Sequence, residues 1–269
     1  MKVVMEFDQK YTEYWASSVK QSKDGLKIAG DKEAKYFLQH VGLKKNDKVL
    51  DLGCSFGRMF EALSKYSDNI FGVDPDLYAL EKASIHPYTE VRQGTAESTG
   101  FTESFFDAVF CWGVFDVVNH KKSLKEINQI LKVNGRLLFT GKNSNYFSDD
   151  ELAFVAEKNA FLKNFPNKFT DIRAIISNFE QLGFKLDNLF IFPRRGDFGL
   201  LSFVDQGLDL KYNYVGYEYL IVCHKILGQP QSSLVNDKLE SSFSATSSEI
   251  ALSKGFYGAK EYFESIGIT

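Results

Sequence analysis

The sequence predicts an α/β fold: a doubly wound, mostly parallel seven-stranded sheet with helices on both faces and an antiparallel final hairpin. Three observations carry that prediction. Short apolar runs alternate with amphipathic patterns of helical period from residue 31 to residue 140, the rhythm of strand–helix–strand units. A glycine-bearing turn, DLGCSFG at Asp51–Gly57, leaves one such run and enters a helical pattern. Two late apolar runs, Phe184–Phe192 and Tyr217–His224, flank a turn-rich stretch and read as an antiparallel pair at the sheet edge.

The elements follow in order. Asp31 caps a helix to Val41, with Ala34, Phe37, Leu38 and Val41 at helical spacing. Lys48–Leu52 is a buried strand, Arg58–Lys65 a helix, Asn69–Val73 a strand and Leu77–Ala83 a helix. Thr89–Gln93 and Phe106–Cys111 are the next strands. Lys121–Leu131 is a helix stopped at Asn134-Gly135, and Arg136–Thr140 is a fifth strand. From Gly141 to Thr170 no strand-like run is found, and Asp150–Lys163 looks helical. Asp171–Leu182 is a helix stopped by Gly183. Residues 1–30 are read as a cap over the site, 31–227 as the central domain with a lid-like insert at 141–170, and 228–269 as a serine-rich linker with a short C-terminal helix.

Composition narrows the function classes. The chain has 269 residues, 44% hydrophobic and 25% charged, which suits a globular protein. A net charge of -3 supplies no basic excess for a phosphate backbone, so no nucleic acid partner is expected. No apolar run is long enough to span a bilayer, so no membrane partner is expected. The first residues, MKVVMEFDQK, lack a signal-peptide core. The cysteines, Cys54, Cys111 and Cys223, lie far apart without metal or redox spacing, so no metal and a reducing, cytoplasmic setting are expected. The 25 Phe and 13 Tyr point to a phenylalanine-packed core, with an aromatic-lined pocket as the sharper alternative.

Chemistry concentrates at the glycine turn. Glycine there lets a ligand approach the backbone. The helix that follows offers free N–H groups. Asp51, at the strand's end, can hold an ammonium group. Asp74 ends the next strand, 21 positions after Gly53, where a carboxylate can accept from both ribose hydroxyls. Gly53 and Gly57 are four apart with Ser55 between, so the dinucleotide fingerprint fails and pyrophosphate fits poorly. A nucleoside carrying an amino acid fits better.

On these residues the chain resembles the class I, Rossmann-like S-adenosylmethionine-dependent methyltransferases. Val49–Gly57 (VLDLGCSFG) resembles the family's first motif, hydrophobic-D-x-G-x-G-x-G, with Ser55 at the middle glycine. Gly72–Asp74 resembles its ribose-binding acidic strand, Gln93–Glu97 (QGTAE) its adenine-flanking loop, and Phe106–Gly113 its fourth strand. Leu131–Leu138 resembles the LKPGG turn and fifth strand, with Val133-Asn134 for Pro-Gly. The resemblance covers residues 31–140 and implies S-adenosyl-L-methionine as cofactor, leaving S-adenosyl-L-homocysteine as product. It implies that Asp51, with the Gly53 and Cys54 backbone at the Gly57 turn, holds the methionine portion, and that Asp74 holds the ribose. Pro75 or Asp76 would lie against one adenine face, Ala96 and Glu97 against the other. Cys111 and Trp112 would lie near the sulfonium. Apart from the resemblance, Trp15, with Tyr11 and Tyr14, would close over the cofactor from the N-terminal cap or form a simple packing cluster. The motifs of amino-group and cytosine-carbon methylation on nucleic acids are absent.

The resulting expectation is methyl transfer to a small-molecule acceptor, at oxygen, by in-line displacement. Candidate general bases are Asp116 and His120, although the family's His falls where Val117 stands; the plainer readings are a helix cap and a solvated residue. Tyr146, Phe147, Phe154, Phe161 and Phe165 would line the acceptor pocket or anchor a lid. Arg194-Arg195 would pair with an acidic group or sit in a solvated turn. Two other classes stay open: a catalytically inactive methyltransferase-like binding module, and a nucleotide-dependent dehydrogenase that the glycine spacing disfavours. The oligomeric state is open, a homodimer included.

Overall fold

The computed structural model describes residues 37–83, 89–147, 149–163, 167–195, 204–205, 215–226 and 241–242. The N-terminal cap with Tyr11, Tyr14 and Trp15 lies outside the described residues, as do Phe165 and nearly all of 228–269. Of the expected first helix, residues 37–41 are described and helical.

The parallel strands are β1 (Lys48–Leu52), β2 (Asn69–Asp74), β3 (Thr89–Gln93), β4 (Phe106–Cys111) and β5 (Leu131–Asn143). The helices between and after them are α1 (Phe60–Ser64), α2 (Leu77–Ala83), α3 (His120–Ile130), α4 (Glu151–Leu162) and α5 (Ile172–Asn178). Three-residue β6 (Lys168–Thr170) precedes α5. Then come β7 (Phe184–Phe192), two-residue β8 (Val204–Asp205), β9 (Glu218–Lys225) and two-residue β10 (Ser241–Ser242). The main sheet runs β3-β2-β1-β4-β5-β9-β7-β8, parallel through β5 and antiparallel beyond. Seven long strands match the expected sheet. The late pair is antiparallel, with β9 inserted between β5 and β7 and β8 added outside.

Alternation across the strands builds two cores. Leu50, Leu52, Val109, Cys111, Leu137, Phe139, Tyr219 and Ile221 face α3 and α5. Val49, Phe110, Leu138, Leu220 and Val222 face α1, α2 and the helical turn at 37–41. Both faces of β1 and β4 are covered, so these strands carry unbroken apolar runs. Most of the phenylalanines described pack into these two cores, the plainer of the two aromatic readings. Side-chain caps fix helix starts: Asn119 accepts from Lys122 N, Asp150 from Ala153 N, and Asp171 from Arg173 N.

Several boundaries depart from the sequence reading, three of them with a visible cause or consequence. Helix α3 stops at Ile130, before Asn134-Gly135, because Phe105 and Ser104 N–H groups take the Ile130 and Gln129 carbonyls and Leu131 turns extended. The stretch Gly141–Thr170 does hold strand: β5 continues through Asn143, and β6 pairs Phe169 with Lys142. Within the expected linker, Ser241 and Ser242 pair with β6. Strands this short come from their partners and leave no apolar pattern. Among the described residues no helix is long and apolar enough to cross a membrane.

Candidate functional site

In a doubly wound sheet the carboxyl ends of the strands form the ligand crevice. At the end of β1, Asp51 is 2% exposed and its Oδ2 is buried without a hydrogen-bond partner among the described residues. Burial raises its carboxyl to about 7; Arg58 lowers it and Asp74 raises it. The chain then turns on Gly53 (φ 79), Ser55 (φ 48) and Gly57 (φ 73), all in the left-handed region. Gly53 and Cys54 N–H groups both donate to Val73 O. A Cβ on Gly53 would stand 2.3 Å from Val114 Cγ2, so only glycine fits there. The Cys54 side chain is buried against Gly72, and burial pushes its thiol up.

Asp74 ends β2 half-buried, with Oδ2 accepting from Ser55 N and Oδ1 from Asp76 N, each at 2.9 Å. Burial raises it to about 6, against the lowering effect of those two amides. A carboxylate has about four acceptor sites, so two remain for a diol. The N-cap of α2 is Asp76, whose Oδ1 accepts from Tyr78 N at 2.9 Å. Asp74 is thereby released from a capping role. Pro75 is half-buried, its carbonyl taken by Gln93 Nε2 at 3.1 Å.

At the next strand end, Ala96 is buried in the core under α3 and α5. Glu97 Oε1 accepts from Asn119 N at 2.7 Å and so clasps the start of α3. Cys111 is fully buried on the face away from Asp51, and burial raises its thiol. Only its backbone faces the crevice edge. Trp112 stacks on Phe110 at 5.5 Å on the Asp51 face. Beyond it, Gly113 (φ 68) has no atom of the described residues within 4 Å of where a Cβ would be, and its N–H donates to Thr140 Oγ1. Open space therefore lies over the end of β4.

The two expected bases sit in different surroundings. His120 is fully buried, stacked 4.1 Å on Phe115, with Nε2 on the Phe115 carbonyl at 2.7 Å and Nδ1 on Thr170 Oγ1 at 3.2 Å. A carbonyl only accepts, so Nε2 carries the proton and Nδ1 takes the threonine hydroxyl. Neither nitrogen is left for an acceptor, and the solvated alternative fails as well. Asp116 caps no helix; it lies 3.4 Å from Lys142 Nζ in an ion pair, 15% exposed.

That ion pair opens a polar network that the sequence did not announce. Lys142, on β5, also donates to Glu157 Oε1 of α4 at 2.9 Å. Glu157 accepts from Asn167 and from the Tyr217 hydroxyl, and Arg195 Nη1 reaches that hydroxyl at 2.8 Å. Arg194 pairs with Asp149 at 2.7 Å, as one of the two readings had it. Glu218 adjoins the network at the start of β9, opposite Lys142 in register. Of the expected aromatic lid residues, Tyr146 and Phe154 pack with Phe169 around Tyr217 and Ala153 as an anchor for α4, whereas Phe161 is 40% exposed. The signal for the network was present but weak: Glu157 and Glu218 are charges inside apolar patterns.

The site fits the cofactor the motifs imply. A bare buried carboxylate, a turn admitting no side chain, a second carboxylate with spare acceptor sites and open space at Gly113 follow one another along the strand ends. A profile described as "Methyltransferase domain" matches residues 50–139. The uncharacterized methyltransferase YcgJ of Bacillus subtilis is 25% identical over 131 residues, 46% of this chain and 52% of that protein. A ubiquinone biosynthesis O-methyltransferase of Yersinia enterocolitica is 26% identical over 155 residues, 55% of this chain and 63% of the relative. The chain spans about half the length of the curated relatives it matches. A crystal structure of a SAM-dependent methyltransferase from Thermotoga maritima superposes with a TM-score of 0.58 at 19% identity, over 80% of this chain and 98% of that one, which shows the shared fold. Residues 50–139 thus carry a methyltransferase domain, set in a fold shared with S-adenosylmethionine-dependent methyltransferases.

Proposed function

We propose that the protein transfers the methyl group of S-adenosylmethionine to an oxygen of a small-molecule acceptor by in-line displacement. The observation that carries the reading is the pair Asp51 and Asp74: two buried or half-buried carboxylates on adjacent strand ends, one with an oxygen that has no partner among the described residues. Such carboxylates destabilise the fold unless a ligand uses them. Asp51 would receive the amino-acid ammonium and Asp74 the ribose hydroxyls, while Gly53 and Cys54 admit the chain between them. Pro75 and Ala96 would border the adenine, and Glu97 would hold its loop in place through Asn119.

When bound, the sulfonium supplies an activated methyl. The chain's residues supply alignment, which is worth up to about 7–11 kcal/mol in favourable cases. Gly113 leaves room over β4, and Thr140 fixes its backbone. The acceptor would enter between that opening and α4, which the Lys142–Glu157 pair ties down. Charged groups at this end favour a polar acceptor, and the O-methyltransferase among the relatives agrees with oxygen. The three buried free cysteines suit a reducing, cytoplasmic compartment. Calorimetry with S-adenosylhomocysteine tests the reading: micromolar binding is expected, and none at millimolar ligand overturns it.

One observation favours the non-catalytic binding module: Asp116 and His120 are both engaged elsewhere. Transfer of labelled methyl to any small hydroxyl compound excludes it, and cofactor binding without transfer supports it.

A further inference from the structure

The residue that accepts the acceptor's proton is missing from the sequence-derived candidates, and the polar network supplies one. Among the described residues every other carboxylate in the network has a donor. Asp116 has Lys142; Glu157 has Lys142, Asn167 and Tyr217. Glu218 has none: among the described residues no hydrogen bond or ion pair within 4.0 Å reaches its side chain. Strand β9 runs antiparallel to β5, so its first residue arrives at the same edge as the carboxyl ends of β1, β2 and β4.

The face is also right. Register carries Asp51 to Phe110, Phe110 to Leu138 and Leu138 to Val222. With side chains alternating, Thr140, Lys142 and Glu218 share the sheet face of Asp51 and Trp112. Strands lie ~4.8 Å apart, so Glu218, two strands from the end of β4, stands roughly 10 Å from the opening over Gly113, a span suited to a small acceptor.

We infer that Glu218 is the general base for a hydroxyl acceptor, with Lys142 and Arg195 as the cationic neighbours of the reacting oxygen. This inference rests on the methyl-transfer reading. In the step, the hydroxyl oxygen's electron pair forms the bond to the methyl carbon and the carbon–sulfur pair remains on sulfur. The hydroxyl proton moves to a Glu218 carboxylate oxygen. The cationic sulfonium becomes a neutral thioether, and the carboxylate becomes a carboxylic acid, so charge and atoms balance.

The electrostatics agree. Burial raises Glu218 to about 7; Lys142 and Arg195 lower it, and Asp116 and Glu157 raise it. The Tyr217 hydroxyl, the remaining titratable group beside them, stays protonated because burial and Glu157 raise it. A base with a value near the working pH combines an available lone pair with real proton affinity.

The test has two arms on the full chain. Calorimetry with S-adenosylhomocysteine on the wild type and on Glu218→Gln comes first. Both are expected to bind within about twofold of each other, because Glu218 stands apart from the cofactor end. No binding by the wild type sinks the underlying methyl-transfer reading; binding lost in Glu218→Gln alone overturns the role of Glu218 as a base. The second arm follows labelled methyl transfer to phenol, catechol and 3-hydroxybenzoate as a function of pH. Transfer is expected to rise to a plateau through about pH 7 in the wild type and to fall ~10²–10⁴-fold in Glu218→Gln, with Glu218→Asp recovering part. Carboxyl NMR of Glu218 is expected to titrate near 7. Wild-type rates in Glu218→Gln, titration in the ordinary carboxylate range, or cofactor binding with no transfer to any of the hydroxyl compounds overturns it.

Discussion

The two ends of the crevice are built on opposite terms. At the β1–β2 end, among the described residues, one carboxylate oxygen of Asp51 is buried without a partner and Asp74 accepts hydrogen bonds from backbone amides only. At the β5–β9 end, charges meet charges: Lys142, Glu157, Asp116, Tyr217 and Arg195 form one connected network. A site with open valences awaits a ligand, whereas a satisfied network holds structure. The difference assigns the cofactor to the first end. At the second end it singles out Glu218, the carboxylate that the network leaves over.

Asp74→Ala breaks the comparison hardest. The substitution removes two acceptor sites for ribose hydroxyls, and hydrogen bonds to a charged group are worth about 1.5–3 kcal/mol each. Affinity for S-adenosylhomocysteine is expected to fall at least ~100-fold. Calorimetry measures it, and a change under fivefold removes the ribose role. Asp51→Asn follows, with effects of opposite sign on binding and stability. The folded-state value of Asp51 is about 7 against 3.8 unfolded, so its contribution to stability is full below pH 3.8 and is lost as pH rises through 7. The unliganded Asp51→Asn protein is therefore expected to match the wild type near pH 4 and to exceed it at pH 8, by up to ~4 kcal/mol. Binding weakens in the same variant. Thermal melts at both pH values check the crossover, and equal wild-type and variant stability at pH 8 sinks it.

His120→Ala probes the satisfied end. Loss of the ring leaves the Phe115 carbonyl and the Thr170 hydroxyl buried without their partner and opens a cavity against Phe115. A loss of about 2–4 kcal/mol is expected, with affinity for S-adenosylhomocysteine held within twofold. A variant as stable as the wild type that loses methyl transfer restores His120 as a base.

How much of this was legible follows from sequence distance. Strands β1, β3, β4 and β7 read correctly at both ends, because each is a bounded run of buried residues. The cofactor end is legible for the same reason: Asp51, Gly53 and Gly57 are contiguous, and Asp74 sits one strand on. The other end joins residues from β5, α4 and β9 with those from the loops after β4 and β7, and only folding brings them together. Lys142 reads as part of the irregular insert after the fifth strand, and Glu218 as the polar start of another strand. His120, before Lys121-Lys122, looks solvated until Thr170 and Phe115 close over it. Glu97 carries a recognisable motif, yet its oxygen serves Asn119, a residue 22 positions away.

Ser55 sharpens the comparison most finely, because it sits at the open end and departs from the family's glycine. Its φ of 48 places an L-residue in the left-handed region, which costs roughly 1–2 kcal/mol relative to the right-handed helix region. What that conformation gains is on its backbone: the Ser55 N–H points at Asp74 Oδ2. Ser55→Gly keeps that donor and relieves the strain, but it also frees the unfolded chain, by about 0.4–1 kcal/mol. The two effects nearly offset, so stability is expected to rise by no more than ~1 kcal/mol and affinity to move less than threefold. Ser55→Val keeps the same N–H but strains a β-branched residue at positive φ. It is expected to lower the melting temperature and to weaken binding together, because relaxing the backbone pulls the amide off Asp74. If Ser55→Val binds S-adenosylhomocysteine as the wild type does, the turn's conformation does not set the ribose carboxylate, and Asp76 N alone holds it.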